Sequence, residues 1–171
     1  DPADAGDRMR PRAWLTALVV AAALPLVAAQ AQSTAYLRPA LHFTPARNFM
    51  NDPNGLVYYQ GEYHLFYQYN PFGQVWGHMS WAHAVSRDLL TWTHLPVALR
   101  EADGIMIFSG SAVVDRHNTS GFCTARQGDS SCLVAIYTGH GLGKQTQNLA
   151  YSNDRGRNWT RYRGNPVIDL G

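Results

Sequence analysis

The sequence predicts an all-β protein, and three observations lead to this conclusion. From Tyr36 onward, short segments rich in β-branched and aromatic residues alternate with turns rich in Gly, Pro, Asn and Asp. No stretch of sequence after residue 36 sustains the apolar period of an amphipathic helix. Many segments carry apolar side chains on both faces, which is typical of strands that are covered on both sides. With 171 residues, 46% of them hydrophobic and 15% charged, the chain has enough apolar material for a core.

The predicted strands begin with a hairpin. Leu56–Tyr59 and Tyr63–Tyr69 are aromatic-rich runs on either side of a turn at Gln60-Gly61-Glu62. Five further strands are predicted at Ser80–Ser86, Thr91–Leu95, Ile105–Val114, Leu133–Thr138 and Asn148–Ser152.

An internal repeat refines the fold class. Ala84–Thr93 is echoed by Ala150–Thr160, each time as a strand, a turn containing Asp, and a strand that opens on Trp. In such a turn the Asp accepts backbone N–H bonds while the Trp packs beneath it. The recurrence favours a radial repeat such as a β-propeller of four-stranded blades, with a β-sandwich as the alternative.

The N-terminal residues have the pattern of an export signal. Residues 1–8 precede Met9 and are predicted to be upstream residues that are not native. Residues 9–31 read as a signal peptide, with basic residues first, an apolar run from Ala13 to Ala29, and an A-x-A cleavage site. An uncleaved anchor is the alternative, but the run is shorter than the roughly 20 residues of a membrane span. Residues 32–171 are then a secreted chain, extracellular or periplasmic, without a membrane anchor after cleavage.

Charge and cysteine content exclude some classes of partner. The formal net charge of +2 is too small and too scattered to indicate nucleic-acid binding. Cys123 and Cys132 are the only cysteines, and in an exported chain a disulfide that pins the loop between them is favoured over two free thiols. Their spacing is not that of a zinc site, and the seven His residues are dispersed, so no metal site is expected.

The candidate chemistry is concentrated in Phe49–Gly55. Pro53 fixes its own φ and drives Asp52 toward an extended conformation, while Asn54-Gly55 is able to turn the chain into a strand starting at Leu56. A carboxylate held on such a rigid turn is suited to act as a nucleophile. Ordinary turn composition is the alternative interpretation of these residues.

Gln68 and Trp76 add to this pattern, because they are predicted near the ends of neighbouring strands. An amide, an indole and a carboxylate together form a set that binds sugars, through hydrogen bonds to hydroxyl groups and a flat apolar face. Ordinary edge and core packing is the alternative for each of the two residues alone.

Six motifs in order resemble glycoside hydrolase family 32, the β-fructosidases that include invertases, levanases and exo-inulinases. The motifs are F-M-N-D-P-N-G, F-Y-Q-Y-N-P, W-G-H-M-S-W-A-H-A-V-S-R-D-L-L-T-W, I-F-S-G-S-A-V-V-D, N-T-S-G-F and A-Y-S-N-D-R-G-R-N-W. The resemblance runs from about Tyr36 to Gly171. The segments Trp76–Trp92 and Ile107–Asp115 are closer to levanases and exo-inulinases than to yeast-type invertases. Phe49 and Ala82 depart from the common pattern, which has Trp and Gly at these positions.

The resemblance implies a five-bladed β-propeller followed by a C-terminal β-sandwich, with no metal or organic cofactor. It implies a retaining glycosidase in which Asp52 attacks the anomeric carbon of a terminal β-fructofuranosyl unit of levan, inulin or sucrose. Family positions that bind the fructosyl unit match Asn51, Gln68, Trp76, Phe108 and Ser109.

The family's general acid is missing from this sequence. That acid is the Glu of an E-C motif, and an R-D-P motif supplies an Asp that binds fructosyl hydroxyls; neither motif occurs here. The only two Glu residues, Glu62 and Glu101, are predicted to be solvated turn residues. We therefore expect about the first two blades, without the general acid or the C-terminal sandwich, in a fragment that is inactive alone. A fructosyltransferase of the same fold and a non-catalytic sugar-binding propeller are the alternatives.

Overall fold

The computed structural model describes residues 38–39, 41–124 and 128–170. The predicted upstream residues and signal peptide lie outside these ranges. The chain divides into two compact units, Asp1–His42 and Phe43–Gly171, and everything described below belongs to the second unit. Among the described residues, no helix has the length and apolar character needed to cross a membrane.

The second unit contains two four-stranded antiparallel sheets, in each of which consecutive strands are neighbours. The prediction of an all-β fold is therefore confirmed. The first sheet has the order β1-β2-β3-β4 and consists of β1 (Met50–Tyr59), β2 (Glu62–Tyr69), β3 (Ser80–Ser86) and β4 (Trp92–Leu99). The second has the order β5-β6-β7-β8 and consists of β5 (Met106–Asp115), β6 (Cys132–Gly141), β7 (Lys144–Ser152) and β8 (Thr160–Arg161).

β1 starts earlier than the sequence predicts. The expected turn before Leu56 is itself part of the strand, since Met50 pairs with Tyr69 and Pro53 pairs with Tyr67. A proline is tolerated here because β1 is an edge strand and needs no hydrogen bond donor on its open side. The pairing is interrupted by irregularities between Met50 and Pro53 and again between Asn54 and Val57.

The internal repeat forms the same turn in both sheets. In the first sheet, Asp88 Oδ1 accepts hydrogen bonds from the backbone N–H groups of Leu90 and Thr91, at 2.9 and 2.7 Å. The Trp92 indole donates to Leu89 O at 3.2 Å. In the second sheet, Asp154 Oδ1 accepts from the backbone N–H of Asn158 at 2.8 Å, and the Trp159 indole donates to Gly156 O at 3.1 Å. The repeated sequence is thus the connection between the third and fourth strands of each sheet.

The main core lies between the two sheets. Trp81 from the first sheet and Tyr137 from the second contact each other with ring centroids 6.3 Å apart. Replacing one such buried aromatic side chain by Ala typically costs about 3–5 kcal/mol. The buried members of this cluster are Phe66, Trp81, Leu99, Ile107, Ala112, Ala135, Tyr137 and Ala150.

An ion pair also joins the sheets, and it corrects the prediction for Glu62. Both carboxylate oxygens of Glu62 accept hydrogen bonds from the Arg157 guanidinium, at 2.7 and 2.9 Å. Glu62 is only 9% exposed, so it is not a solvated turn residue. The hydrogen bond from Arg157 is the main cause that holds the pKa of Glu62 below its ordinary value. Glu101 is also partly buried, and its Oε2 lies 2.7 Å from His78 Nδ1.

Cys123 and Cys132 are joined by a disulfide, the alternative that the sequence favours. The bridge connects the start of β6 to the loop that follows β5. Both sulfur-bearing residues are buried in a small cluster with Val134, against which Phe122, Leu149 and Tyr151 pack.

Two histidines form a buried pair behind the core. His64 Nδ1 and His83 Nε2 lie 3.0 Å apart, and neither side chain has significant exposure. The ring of Phe66 stacks on His83 with centroids 4.3 Å apart. Gly156, in the connection between β7 and β8, packs directly against this pair, since a Cβ there would lie 2.7 Å from His83 Cε1. Burial lowers the pKa of both histidines, and lowers that of His83 to about 3, with further contributions from His64 and Arg157.

We expect this pair to make the fold sensitive to mild acid. Histidines of the unfolded chain take up protons near pH 6.5, whereas the buried rings stay neutral until the pH is much lower. Stability is therefore fully present above pH ~6.5 and is lost as the pH falls toward the folded-state pKa, by up to about 1.4 kcal/mol per pH unit for each proton. Denaturant unfolding of the full-length gene product between about pH 7.5 and 5 measures this slope.

The matched variants are His83→Gln, which removes one titrating ring from the pair, and His117→Gln, which removes an exposed one. We expect a shallower pH dependence for His83→Gln only. Equal slopes for His83→Gln and the wild type would contradict this account.

Candidate active site

Asp52 lies near the start of β1 with an exposed side chain that two hydrogen bonds hold in place. The Ser109 hydroxyl, on β5 of the second sheet, donates to Asp52 Oδ2 at 2.7 Å. The Asn51 amide donates to Asp52 Oδ1 at 3.3 Å. Each carboxylate oxygen therefore has one donor, and the carboxylate remains open to an incoming molecule.

Irregular strand pairing positions both residues of the hydrogen bond between Ser109 and Asp52. In β5 the register shifts between Phe108 and Gly110, so Ser109 is the extra residue of a β-bulge. In β1 the register shifts between Met50 and Pro53, the segment that contains Asp52. Bulges redirect side chains out of the regular alternation. Here they direct a hydroxyl and a carboxylate from two different sheets toward each other.

Asn54 fixes the backbone beneath this contact, although the sequence analysis assigned it only to a turn. Its Nδ2 donates to Asp52 O at 3.0 Å, and its Oδ1 accepts from Gly110 N at 3.0 Å. Asn54 is only 5% exposed. It therefore links the strand segment of Asp52 to that of Ser109. The dipeptide Asn54-Gly55 has the same composition as an exposed turn, so only the fold distinguishes the two roles.

Gln68 lies behind the site rather than at its surface. It is 3% exposed, and its Nε2 donates to Ile107 O at 2.9 Å. The neighbouring contact is similar, since the Trp81 indole donates to Phe108 O at 3.0 Å. The Gln68 amide nitrogen thus holds β5 from behind the site.

Trp76 is presented by the loop between β2 and β3 and is 55% exposed. Its ring lies edge-on to Phe108, with centroids 6.2 Å apart.

Asn70, which sequence reasoning also missed, shapes the loop that carries Trp76. Its side chain donates to Val75 O at 2.8 Å and accepts from Phe72 N at 2.9 Å. Backbone hydrogen bonds from Phe49 N to Gly73 O and from Asn70 N to Phe49 O tie the loop to the segment before Asp52.

The structure therefore gathers an open carboxylate, a hydroxyl, an amide and two aromatic rings. The Asn51 Oδ1 is buried and has no hydrogen-bond partner among the described residues. Such a set suits a sugar, whose hydroxyl groups bond to the polar atoms and whose C–H face packs on the rings. Among the described residues, no group of three or more His, Cys, Asp or Glu side chains is arranged to hold a metal ion.

Neither Glu reaches the carboxylate of Asp52. Glu62 pairs with Tyr59 at the far end of the β1–β2 hairpin, about 20 Å away at the usual rise per strand residue. Glu101 follows β4, three strands from β1, which corresponds to about 14 Å. A retaining glycosidase needs its two carboxyl groups about 5–5.5 Å apart. The described site thus contains an exposed carboxylate with neither Glu beside it.

The family model described as "Glycosyl hydrolases family 32 N-terminal domain" matches residues 42–170 of this chain. The chain belongs to glycosyl hydrolase family 32. It is 64% identical to a levanase of Bacillus subtilis, with 77% of this chain and 19% of the levanase covered. It is 48% identical to an extracellular exo-inulinase of Aspergillus awamori, with 77% of this chain and 27% of that protein covered. The resemblance stated from the motifs is confirmed.

Solved structures of family 32 enzymes match the fold as well. A β-fructofuranosidase of Schwanniomyces occidentalis complexed with fructosyl-erythritol has a TM-score of 0.73 and 46% identity, and covers 78% of this chain and 27% of that one. The two four-stranded sheets are blades of the family 32 propeller, so the propeller assignment is confirmed over the sandwich alternative. The chain spans about a fifth to a quarter of the length of these relatives.

We expect Asn54→Ala to weaken both the fold and the site. The loss of two buried hydrogen bonds lowers the free energy of unfolding by about 1–3 kcal/mol. Because Asp52 and Ser109 lose their common support, glycoside turnover by the full-length gene product falls roughly tenfold to a hundredfold.

The control is Asn153→Ala, which removes hydrogen bonds to Phe122 O and Thr124 N outside the site. It lowers stability and leaves turnover by the folded protein unchanged. If the two variants lose turnover equally, Asn54 has no special role at the site.

Proposed function

We propose that this chain supplies the nucleophile and much of the fructosyl-binding surface of a secreted, retaining β-fructosidase. The substrates proposed are levan, inulin and sucrose, from which terminal β-D-fructofuranosyl units are released. The observation that carries the proposal is the Asp52 carboxylate, exposed yet fixed by the Ser109 hydroxyl from the opposite sheet. Family membership and the names of the levanase, exo-inulinase and invertase relatives support the substrate class.

In the proposed reaction, Asp52 Oδ attacks the anomeric carbon of the fructosyl unit and forms a C–O bond as the glycosidic C–O bond breaks. The departing oxygen takes a proton from an acid outside the described residues. Water then attacks the same carbon and gives a proton back to that acid, which releases fructose and frees the carboxylate. The hydrogen bonds from Ser109 and Asn51 keep the carboxylate aligned during both steps.

The other predicted residues have distinct proposed roles. Trp76 and Phe108 offer apolar faces to the sugar ring. Asn51 donates to the carboxylate of Asp52 and so orients it toward the sugar, and Gln68 holds Ile107 from behind the site. The role proposed for Gln68 is therefore to position β5 beneath the fructosyl unit.

Secretion is proposed on three grounds. The signal-peptide pattern at residues 9–31 predicts export, and the exo-inulinase relatives are named as extracellular. The disulfide between Cys123 and Cys132 suits an oxidising compartment.

We expect Asp52→Ala in the full-length gene product to lower kcat by roughly 10⁴-fold or more, because a covalent step is lost. Azide fills the space of the missing carboxylate, so added azide restores release of the leaving group and yields a fructosyl azide of inverted configuration. Release of glucose from sucrose and analysis of the azide product measure both effects.

Asp88→Asn is the matched control, since Asp88 is a hydrogen-bonded turn residue of the same sheet. It is expected to keep wild-type turnover. Wild-type turnover by Asp52→Ala would refute the role of nucleophile, whereas loss of turnover without azide rescue would favour an indirect role.

We also expect residues 32–171 alone to release no fructose from sucrose or levan. Neither Glu is near Asp52, and a two-blade fragment exposes apolar faces that other blades cover in a closed propeller. The assay is sugar release by the purified fragment beside the full-length gene product at equal concentration. A stable monomeric fragment that hydrolyses either substrate would overturn this expectation.

A further inference from the structure

His140 extends the aromatic surface of the site by one ring. It lies near the end of β6, opposite Met106 at the start of β5. Its imidazole stacks on Phe108 with ring centroids 4.5 Å apart and planes 12° apart. Phe108 in turn contacts Trp76. Trp76, Phe108 and His140 therefore form a row, and Ser109, the partner of Asp52, directly follows the middle member of that row.

Glycines on both sides hold the backbone of His140 close to the β4–β5 connection. A Cβ on Gly139 would lie 2.7 Å from Asn148 Nδ2, and one on Gly141 would lie 2.5 Å from Ile105 Cδ1 and 2.6 Å from Gly104 O. Because side chains alternate along a strand, these tight contacts are on the face opposite to His140. The position of His140 is thus fixed by packing that the glycines permit.

The packing of the fold does not explain why a ring with two nitrogen atoms stands at position 140. His140 Nδ1 is buried and has no hydrogen-bond partner among the described residues. An enclosed N–H without an acceptor costs more than an enclosed lone pair, so the favoured tautomer carries its proton on Nε2. The ring as a whole is only partly buried, so part of it is accessible. In this tautomer Nε2–H is the one N–H donor that the ring carries beside its apolar face.

We propose that His140 binds the sugar to which the fructosyl unit is attached, with Nε2–H donating to one of its hydroxyl groups. The fructosyl unit at Asp52 and Ser109 occupies the surface of Trp76 and Phe108, so the next sugar of the substrate reaches the next ring of the row. His140 then sets the preference among β-fructosides that differ in their leaving group. This inference rests on the proposed function and assigns a specificity-determining residue to the same site.

The test compares two substrates in the full-length gene product. Sucrose has a sugar as leaving group, whereas methyl β-D-fructofuranoside has only methanol. We expect His140→Phe, which keeps the stack on Phe108 but lacks the donor, to lower the ratio of kcat/KM for sucrose to that for the methyl fructoside roughly fivefold. His140→Ala, which loses the stack as well, lowers this ratio further. His117→Ala is the control, because His117 is exposed at the other end of β5, and it leaves the ratio unchanged.

Each outcome has a distinct meaning. If both His140 variants lose activity equally on the two substrates, His140 acts only through the fold and the proposal is wrong. It is also wrong if His140→Phe keeps the wild-type ratio. If the wild-type protein releases fructose from neither substrate, the proposed function itself fails, and that failure is visible before any His140 variant is assayed.

Discussion

The candidate site depends on the line of contact between the two sheets, the seam, where residues of the first sheet and the adjoining loop form hydrogen bonds with residues 107–110 of β5. Each of these four consecutive residues is bonded to the first sheet through its backbone or its side chain. The contacts are Ile107 N to Met79 O, Gln68 Nε2 to Ile107 O, Trp81 Nε1 to Phe108 O, Ser109 Oγ to Asp52 Oδ2, and Gly110 N to Asn54 Oδ1. The seam joins the two blades and orients the carboxylate of Asp52 with the same groups. Under the proposed function, stability and catalysis are therefore coupled at these positions, and substitutions here are not expected to separate them cleanly.

The seam also explains why the polar residues of the site differ so much in exposure. Asn54 and Gln68 are nearly inaccessible, while Asp52 and Ser109 are exposed. The buried amides satisfy backbone groups that strand pairing leaves open at the bulges, and so allow the exposed pair to meet. The direction of the Asp52 carboxylate is therefore set by buried groups, so under the proposed function little reorganisation is needed when a substrate binds.

Much of the fold was predictable because its signals are local. The alternation of side chains along strands and the repeated Asp turns are both recognisable within short stretches of sequence. The structure places both repeats between the third and fourth strands of a sheet. The motifs likewise indicated the family, while the catalytic role of Asp52 stays a prediction. The predictions that failed depend on distant partners. Glu62 looks like a solvated turn residue until Arg157, 95 positions away, is brought beside it. The sequence did not predict a strand at Asn51–Asn54, because Asn, Asp and Pro are typical of turns and a proline in an edge strand cannot be distinguished from them by sequence alone.

The meander topology has a consequence for how the protein is made. Every strand of the first sheet pairs only with its neighbour in sequence, so this sheet needs no later part of the chain to close its hydrogen-bond ladder. During synthesis the strand that carries Asp52 thus finds its partners early, and the seam to β5 forms as soon as the second sheet emerges. Under the mechanism proposed above, the acid is not one of the residues of these two sheets. A nascent chain with only these sheets formed would then carry the proposed sugar-binding surface while still unable to cleave a glycoside.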